Sequence, residues 1–191
     1  MEAFLVSTGV VALAEVGDKT QLLAFILAAR FKKPLPVIAG ILCATLVNHA
    51  LAGALGAWIT SVVNPEVMRW VLGLSFIAMA IWTMIPDRIE EEETLAARHL
   101  GIFGATLITF FLAEMGDRTQ IATIALAAHY GTPLIVIAGT TFGMLLADVP
   151  AVLIGNKFAA RIPLKLVHSI AAANLALIGL ATLFNIEKLF R

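Results

Sequence analysis

The sequence predicts an all-α integral membrane protein whose six transmembrane helices form two inverted three-helix repeats. Three observations predict it: an apolar composition, six long apolar stretches and a repeat of half the chain. Of 191 residues, 60% are hydrophobic and 14% charged, with a mean hydropathy of +0.95. Soluble domains are about 45–50% apolar and about 25% charged, so this excess asks for lipid rather than water as the solvent. The net charge is zero, which gives nucleic acid no electrostatic footing. A single cysteine, Cys43, excludes an intrachain disulfide and a cysteine-based metal cluster. The four histidines show no HExxH or HxxxH spacing.

Crossing a bilayer takes about 20 apolar residues. Stretches near 3–29, 35–61, 67–85, 101–128, 133–157 and 163–185 meet that length. The N-terminal run MEAFLVSTGVVALAE lacks the positive start of a secretory signal and is too long for one, so it reads as a retained first span. Turn chemistry separates the spans: RFKKP at 30–34, NPE at 64–66, PDRIEEEE at 86–93, HYGTP at 129–133 and ARIP at 160–163. Trp58, Trp70 and Tyr130 fall near span ends, where interfacial aromatics sit. Segment 86–100, with four glutamates at 90–93, reads as a solvated linker. It divides a first repeat, 1–85, from a second, 101–191.

An offset of 99 residues aligns 15–40 with 114–139 without a gap, and fourteen of the 26 pairs are identical. Among them are Glu15/Glu114, Gly17/Gly116, Asp18/Asp117, Thr20/Thr119, Gln21/Gln120, Pro34/Pro133 and the run VIAG at 37–40 and 136–139. Three spans per half is an odd number, so the second half enters the membrane upside down. Such inverted repeats place a site near the midplane between the halves. Loop charges set the orientation. Arg30, Lys32, Lys33, Arg88, Arg98, Lys157, Arg161 and Lys165 lie on one side, against Arg69, Lys188 and Arg191 on the other. Positive-inside then predicts a cytoplasmic central loop and both termini outside.

The first span contains EVGDKT at 15–20 and the fourth contains EMGDRT at 114–119. An ionisable side chain at mid-span costs about 2.5–3.5 kcal/mol on insertion scales. Six such groups, Glu15, Asp18, Lys19, Glu114, Asp117 and Arg118, must therefore face one another, an ion or a wet cavity. Glu15 and Asp18 are i,i+3 and would share a helix face, as would Glu114 and Asp117. Brought together across a pseudo-two-fold axis, the four carboxylates would form the oxygen cage that hard divalent cations prefer. Gln21 and Gln120, on the adjacent flank, would add carbonyl oxygens. Gly17 and Gly116 either unwind the helix there or allow close helix contact. Four carboxylates less two bases leave a formal charge of minus two, which one divalent cation or two protons would neutralise. Exchange of one for the other follows as the expected mechanism. The competing reading is a set of interhelical salt bridges, Glu15 with Lys19 or Asp117 with Arg118, that only hold the halves together.

Asn48 and His49 in span two, and Asp148 at the same depth of span five, are candidates for auxiliary groups or proton relays, as are Lys19 and Arg118. Pro150 is expected to kink span five. Ser75 and Asn174 are expected to bond between helices. An exporter of small organic solutes such as amino acids would need a less acidic pocket. A channel suits tightly binding buried carboxylates less well than alternating access does. An intramembrane enzyme would need a nucleophile motif, and no GxSxG or HExxH occurs. A purely structural role is the remaining class.

The doubled E-x-G-D-[KR]-[ST] pattern, with three-plus-three spans and an acidic central loop, resembles the Gdt-type cation exchangers, first catalogued as uncharacterised protein family sixteen. That family includes Golgi manganese and calcium transporters and bacterial manganese exporters. The resemblance implies a divalent cation, Mn²⁺ or Ca²⁺, exchanged with protons, with Glu15, Asp18, Glu114 and Asp117 as ligands and no prosthetic group. The chain is short beside eukaryotic members, so the expectation is a bacterial inner-membrane protein that exports manganese. A homodimer stays open.

Overall fold

The computed structural model describes residues 1–84, 101–154 and 164–184. The expected linker at 86–100, and Arg88, Arg98, Lys157, Arg161, Lys188 and Arg191 of the charge count, lie outside the described residues. Those described form eight helices and no strand: α1 (Glu2–Glu15), α2 (Lys19–Phe31), α3 (Pro34–Val62), α4 (Pro65–Thr83), α5 (Ile102–Glu114), α6 (Arg118–Tyr130), α7 (Pro133–Ile154) and α8 (Leu164–Leu183). Prolines open α3, α4 and α7, where a missing N–H costs nothing. Asn64 caps α4 by accepting from Glu66 N at 2.9 Å. The stretches α3, Pro65–Trp82 of α4 and Pro133–Leu153 of α7 are long and apolar enough to cross a membrane, and α5 and Ala172–Leu183 of α8 are shorter apolar helices.

Two expected spans are not continuous. The first breaks between Glu15 and Lys19, and the fourth between Glu114 and Arg118. Gly17 has φ 84° and Gly116 φ 80°, in the left-handed region where a Cβ is disfavoured. A Cβ on Gly116 would meet nothing within 4 Å, so backbone conformation, not close helix contact, explains that glycine. Pro150 lies inside α7, which continues as helix through it. Ser75, expected to bond across helices, donates to Leu72 O of its own helix.

Large apolar side chains face outward as well as inward, and polar side chains are buried beside an apolar core. Leu5, Leu46, Leu51, Leu74, Leu146 and Leu177 are exposed, while Ser7, Thr45, Asn48, Thr109, Thr123 and Thr140 are buried. So broad an apolar exterior is the surface that lipid favours. α3 is central and touches α2, α5, α6 and α7, while α4 and α8 pair at the side.

The two halves embrace reciprocally. α1 runs alongside α7 in the same direction: Gly139 lies against Phe4 and Ser7, Gly143 lies against Thr8 and Ala12, and Gln21 Nε2, beyond the break, donates to Ala147 O at 3.1 Å. α5 and α6 run alongside α3 in the same way: Asn48 Nδ2 donates to Phe111 O at 3.1 Å, and Gly56 lies against Ile124 O and Ala127. Two of the close approaches are repeat mates. A Cβ on Gly40 would sit 2.9 Å from Phe103 O and 2.7 Å from Thr106 Cβ; one on Gly139 would sit 2.7 Å from Phe4 O and 3.1 Å from Ser7 Cβ. Backbone cannot yield as a flexible side chain can. Gly139→Ala is therefore expected to cost about 1–3 kcal/mol, the usual range for overpacking. A lower melting temperature in detergent, with Gly9→Ala as the control, checks it; a Cβ on Gly9 meets nothing within 4 Å.

The ends of the helices sort into one common face. A cleft of about 690 Å³ is lined by Thr60, Asn64, Arg69, His129 and Thr182 among others. A neighbouring one of about 440 Å³ adds Glu2 and Tyr130. The start of α1, the α3–α4 turn, the end of α6 and the end of α8 thus lie together.

Candidate functional site

Each break interrupts the helix within a motif and leaves its acids buried. Glu15 ends α1, Val16 is extended, Gly17 takes a left-handed conformation, and Asp18 stands at the N-cap of α2. Glu114, Met115, Gly116 and Asp117 repeat this between α5 and α6. Asp18 N donates to Glu15 O at 3.0 Å and Asp117 N to Glu114 O at 3.3 Å, which closes both turns. Gln21 Oε1 accepts from Gly17 N, and Gln120 Oε1 from Gly116 N, each at 2.8 Å. The glutamines, expected to offer oxygens to a cation, here spend them on bracing the breaks. Their amides reach the opposite half: Gln21 to Ala147 O, and Gln120 Nε2 to Asn48 Oδ1 at 3.4 Å. Asn48 is thus a strut between halves.

Glu15 and Asp18 do not share a helix face, because the helix ends between them. The acids converge by another route. One oxygen each from Glu15, Glu114 and Asp117 lie within 4.8 Å of one another. Glu15 and Glu114 are fully buried and Asp117 is 6% exposed. Thr20 Oγ1 donates to Glu15 Oε2 at 2.6 Å, and Thr119 Oγ1 lies 3.1 Å from Glu114 Oε2. The second oxygens, Glu15 Oε1 and Glu114 Oε1, are buried without a partner. Buried carboxylate oxygens without donors are costly unless a proton or a cation compensates them. The C-terminal ends of α1 and α5 stop at these glutamates, and helix C-termini carry the negative end of the dipole.

The fourth motif acid is elsewhere. Asp18 Oδ1 accepts from Arg118 Nη2 at 2.9 Å, and both side chains are buried. This interhalf pair is neither of the two salt bridges the sequence suggested. Lys19 forms no ion pair among the described residues, though its charge reaches Asp117. Asp148 is fully buried with both oxygens unpartnered, within electrostatic range of Glu15, Glu114 and Asp18. His49, its repeat mate, is also fully buried, and neither ring nitrogen has a partner. Sequence reasoning gave no role to Thr20 and Thr119, which fix the glutamates. Their identity within the doubled motif was the available signal.

Two inward-facing acidic breaks, one from each half, find their match among known proteins. The profile of the divalent cation/proton antiporter GDT1 family matches residues 3–91 and 102–188. The chain belongs to the GDT1 family. It is 50% identical over 185 residues to a Vibrio cholerae protein named "Putative manganese exporter", covering 96% of this chain and 92% of that one. A GDT1-like protein of Synechocystis is 32% identical over 187 residues, covering 87% and 89%. GDT1-like protein 3 of Oryza sativa subsp. japonica is 29% identical over 195 residues, covering 88% and 69%. No solved structure gives a significant match. GDT1 membership makes this chain one of a family of membrane antiporters, with the doubled acidic break as its most distinctive internal feature.

Proposed function

We propose that this GDT1 protein exports manganese in exchange for protons across a bacterial inner membrane, with Glu15, Glu114 and Asp117 as ligands. The observation that carries the reading is the meeting of three buried carboxylates whose glutamates each retain an unpartnered oxygen. All-oxygen ligation suits a hard divalent cation. The 50% identity to the Vibrio protein favours manganese over calcium as cargo. Asp148 extends the acidic volume. Five buried acids, Glu15, Asp18, Glu114, Asp117 and Asp148, against Lys19 and Arg118 leave a formal charge of minus three. A divalent cation alone does not neutralise that, so the loaded site retains about one proton or a further cation.

Six spans in two inverted halves, 1–85 and 101–191, are the architecture we infer. α1 with α2, and α5 with α6, would each form one broken span of 27 and 26 helical residues, about 40 Å at 1.5 Å per residue. Each broken span follows the long helix of the other half, and reciprocal glycine contacts support the repeat symmetry. Broken helices at mid-membrane are a recurrent device of secondary transporters. The end that gathers Glu2, Asn64, His129 and Thr182 carries few basic groups, which favours it as the outer face.

Proteoliposome uptake of Mn²⁺ under an imposed pH gradient tests the reading, with Ca²⁺ and Mg²⁺ as competitors. Expected is Mn²⁺ flux driven by the gradient and accompanied by opposite proton movement. Flux indifferent to the gradient would remove the proton exchange, and stronger inhibition by Ca²⁺ than by unlabelled Mn²⁺ would reassign the cargo.

A further inference from the structure

The two motifs are nearly identical in sequence but differ in structure. Asp117 caps its helix, accepting from Gln120 N at 2.8 Å, and takes part in the carboxylate cluster. Its mate Asp18 makes no such cap and is drawn to Arg118. Thr119 Oγ1 bridges Glu114 and Asp117, at 3.1 and 3.0 Å, whereas Thr20 contacts Glu15. Arg118 is buried and paired; its mate Lys19 is half-buried and forms no ion pair among the described residues, with Asp117 in reach of its charge. The break at Met115 and Gly116 is exposed, and that at Val16 and Gly17 only half so.

Sequence symmetry of this quality gives the opposite asymmetry the same kinds of group to work with, an aspartate and a basic residue in each motif. In that arrangement Lys19 would hold Asp117, while Asp18 would cap α2 and join Glu15 and Glu114. We propose that Asp18 and Asp117 take turns as the third carboxylate on the cation, each held by the other half's basic residue while withdrawn. Arg118 and Lys19 are then positioning residues, and the structure shows one of two mirror-related states. The inference rests on the cation-exchange reading and adds to it a specific exchange of ligands. Its physical basis is that an aspartate leaving the cation, in a dry site, needs a replacement positive charge, and each motif supplies one to the other. A two-state element built from equivalent halves is also what alternating access requires.

The test separates cation binding from turnover. The double variant Asp18→Asn/Arg118→Gln removes the withdrawn acid and its partner together, so neither charge of that pair is orphaned. Mn²⁺ binding to the detergent-solubilised protein, followed by the Mn²⁺ electron paramagnetic resonance signal, is expected to stay within about threefold of wild type, while proteoliposome turnover falls by about tenfold or more. Lys19→Gln is expected to give the same split, and Lys19→Arg to restore turnover. Turnover within about twofold of wild type in both glutamine-containing variants overturns the proposal, because neither residue then matters to the cycle. Loss of binding in the double variant also overturns it, making Asp18 a simultaneous ligand. Both results leave the exchange reading standing, since wild-type uptake is measured alongside; a wild type without uptake would instead sink that reading.

Discussion

Glu114→Gln is expected to reduce Mn²⁺ uptake by more than about 100-fold while leaving the protein folded, and Glu15→Gln should do the same. Changes to groups that merely orient a metal ligand typically cost about 10–100-fold in affinity, and loss of the ligand itself should exceed that. Glutamine matches glutamate in shape, and its oxygen can still accept from Thr119 or Thr20. What it loses is the charge, and one of the two unpartnered oxygens becomes an amide. Because one oxygen of each buried acid has no donor, the variants should melt no lower than wild type. Uptake in proteoliposomes, read beside a thermal melt, checks both halves of the expectation. Uptake retained within about twofold would remove these glutamates from the path of the ion.

Arg118→Leu should be the most destabilising single change at the site. Arg118 and Asp18 are 4% and 3% exposed in their side chains and meet at 2.9 Å. Removing one partner of a buried ion pair leaves an uncompensated charge and typically costs about 3–5 kcal/mol. The pair also ties α2 to α6, across the two halves, so its loss loosens the contact on which the acidic cluster depends. Adding Asp18→Asn should recover much of the lost stability, since the orphaned charge is gone. Thermal unfolding of the purified single and double variants in detergent gives the comparison. A single variant as stable as wild type would mean that the pair is wet and contributes little.

Most of the fold was legible from pattern. Apolar stretches located helices α3, α4, α7 and α8 to within a few residues, because lipid imposes a length and forbids charge. The broken spans were harder: α1–α2 and α5–α6 each read as one apolar run, and periodicity does not register a three-residue break. Gly17 and Gly116 were the only hints, and a glycine in a span serves close contact as readily as unwinding. Their positive φ angles decided the matter.

The acids of the site were also legible, by identity and by doubling. Charge inside an apolar run is costly enough to demand a purpose, and a repeat at 99 residues says that the purpose is shared between halves. Which acid meets which was not. A four-carboxylate cage is what symmetry alone suggests; the structure assembles three, gives Asp18 to Arg118, brings Asp148 near, and turns the glutamines to brace the breaks. Sequence determined the ingredients, the depth of burial and the two-fold repetition, since these follow from local composition and order along the chain. Tertiary structure alone decided the partners, because electrostatic pairing is set by distances across helices that no local pattern encodes, and because identical motifs need not occupy identical states.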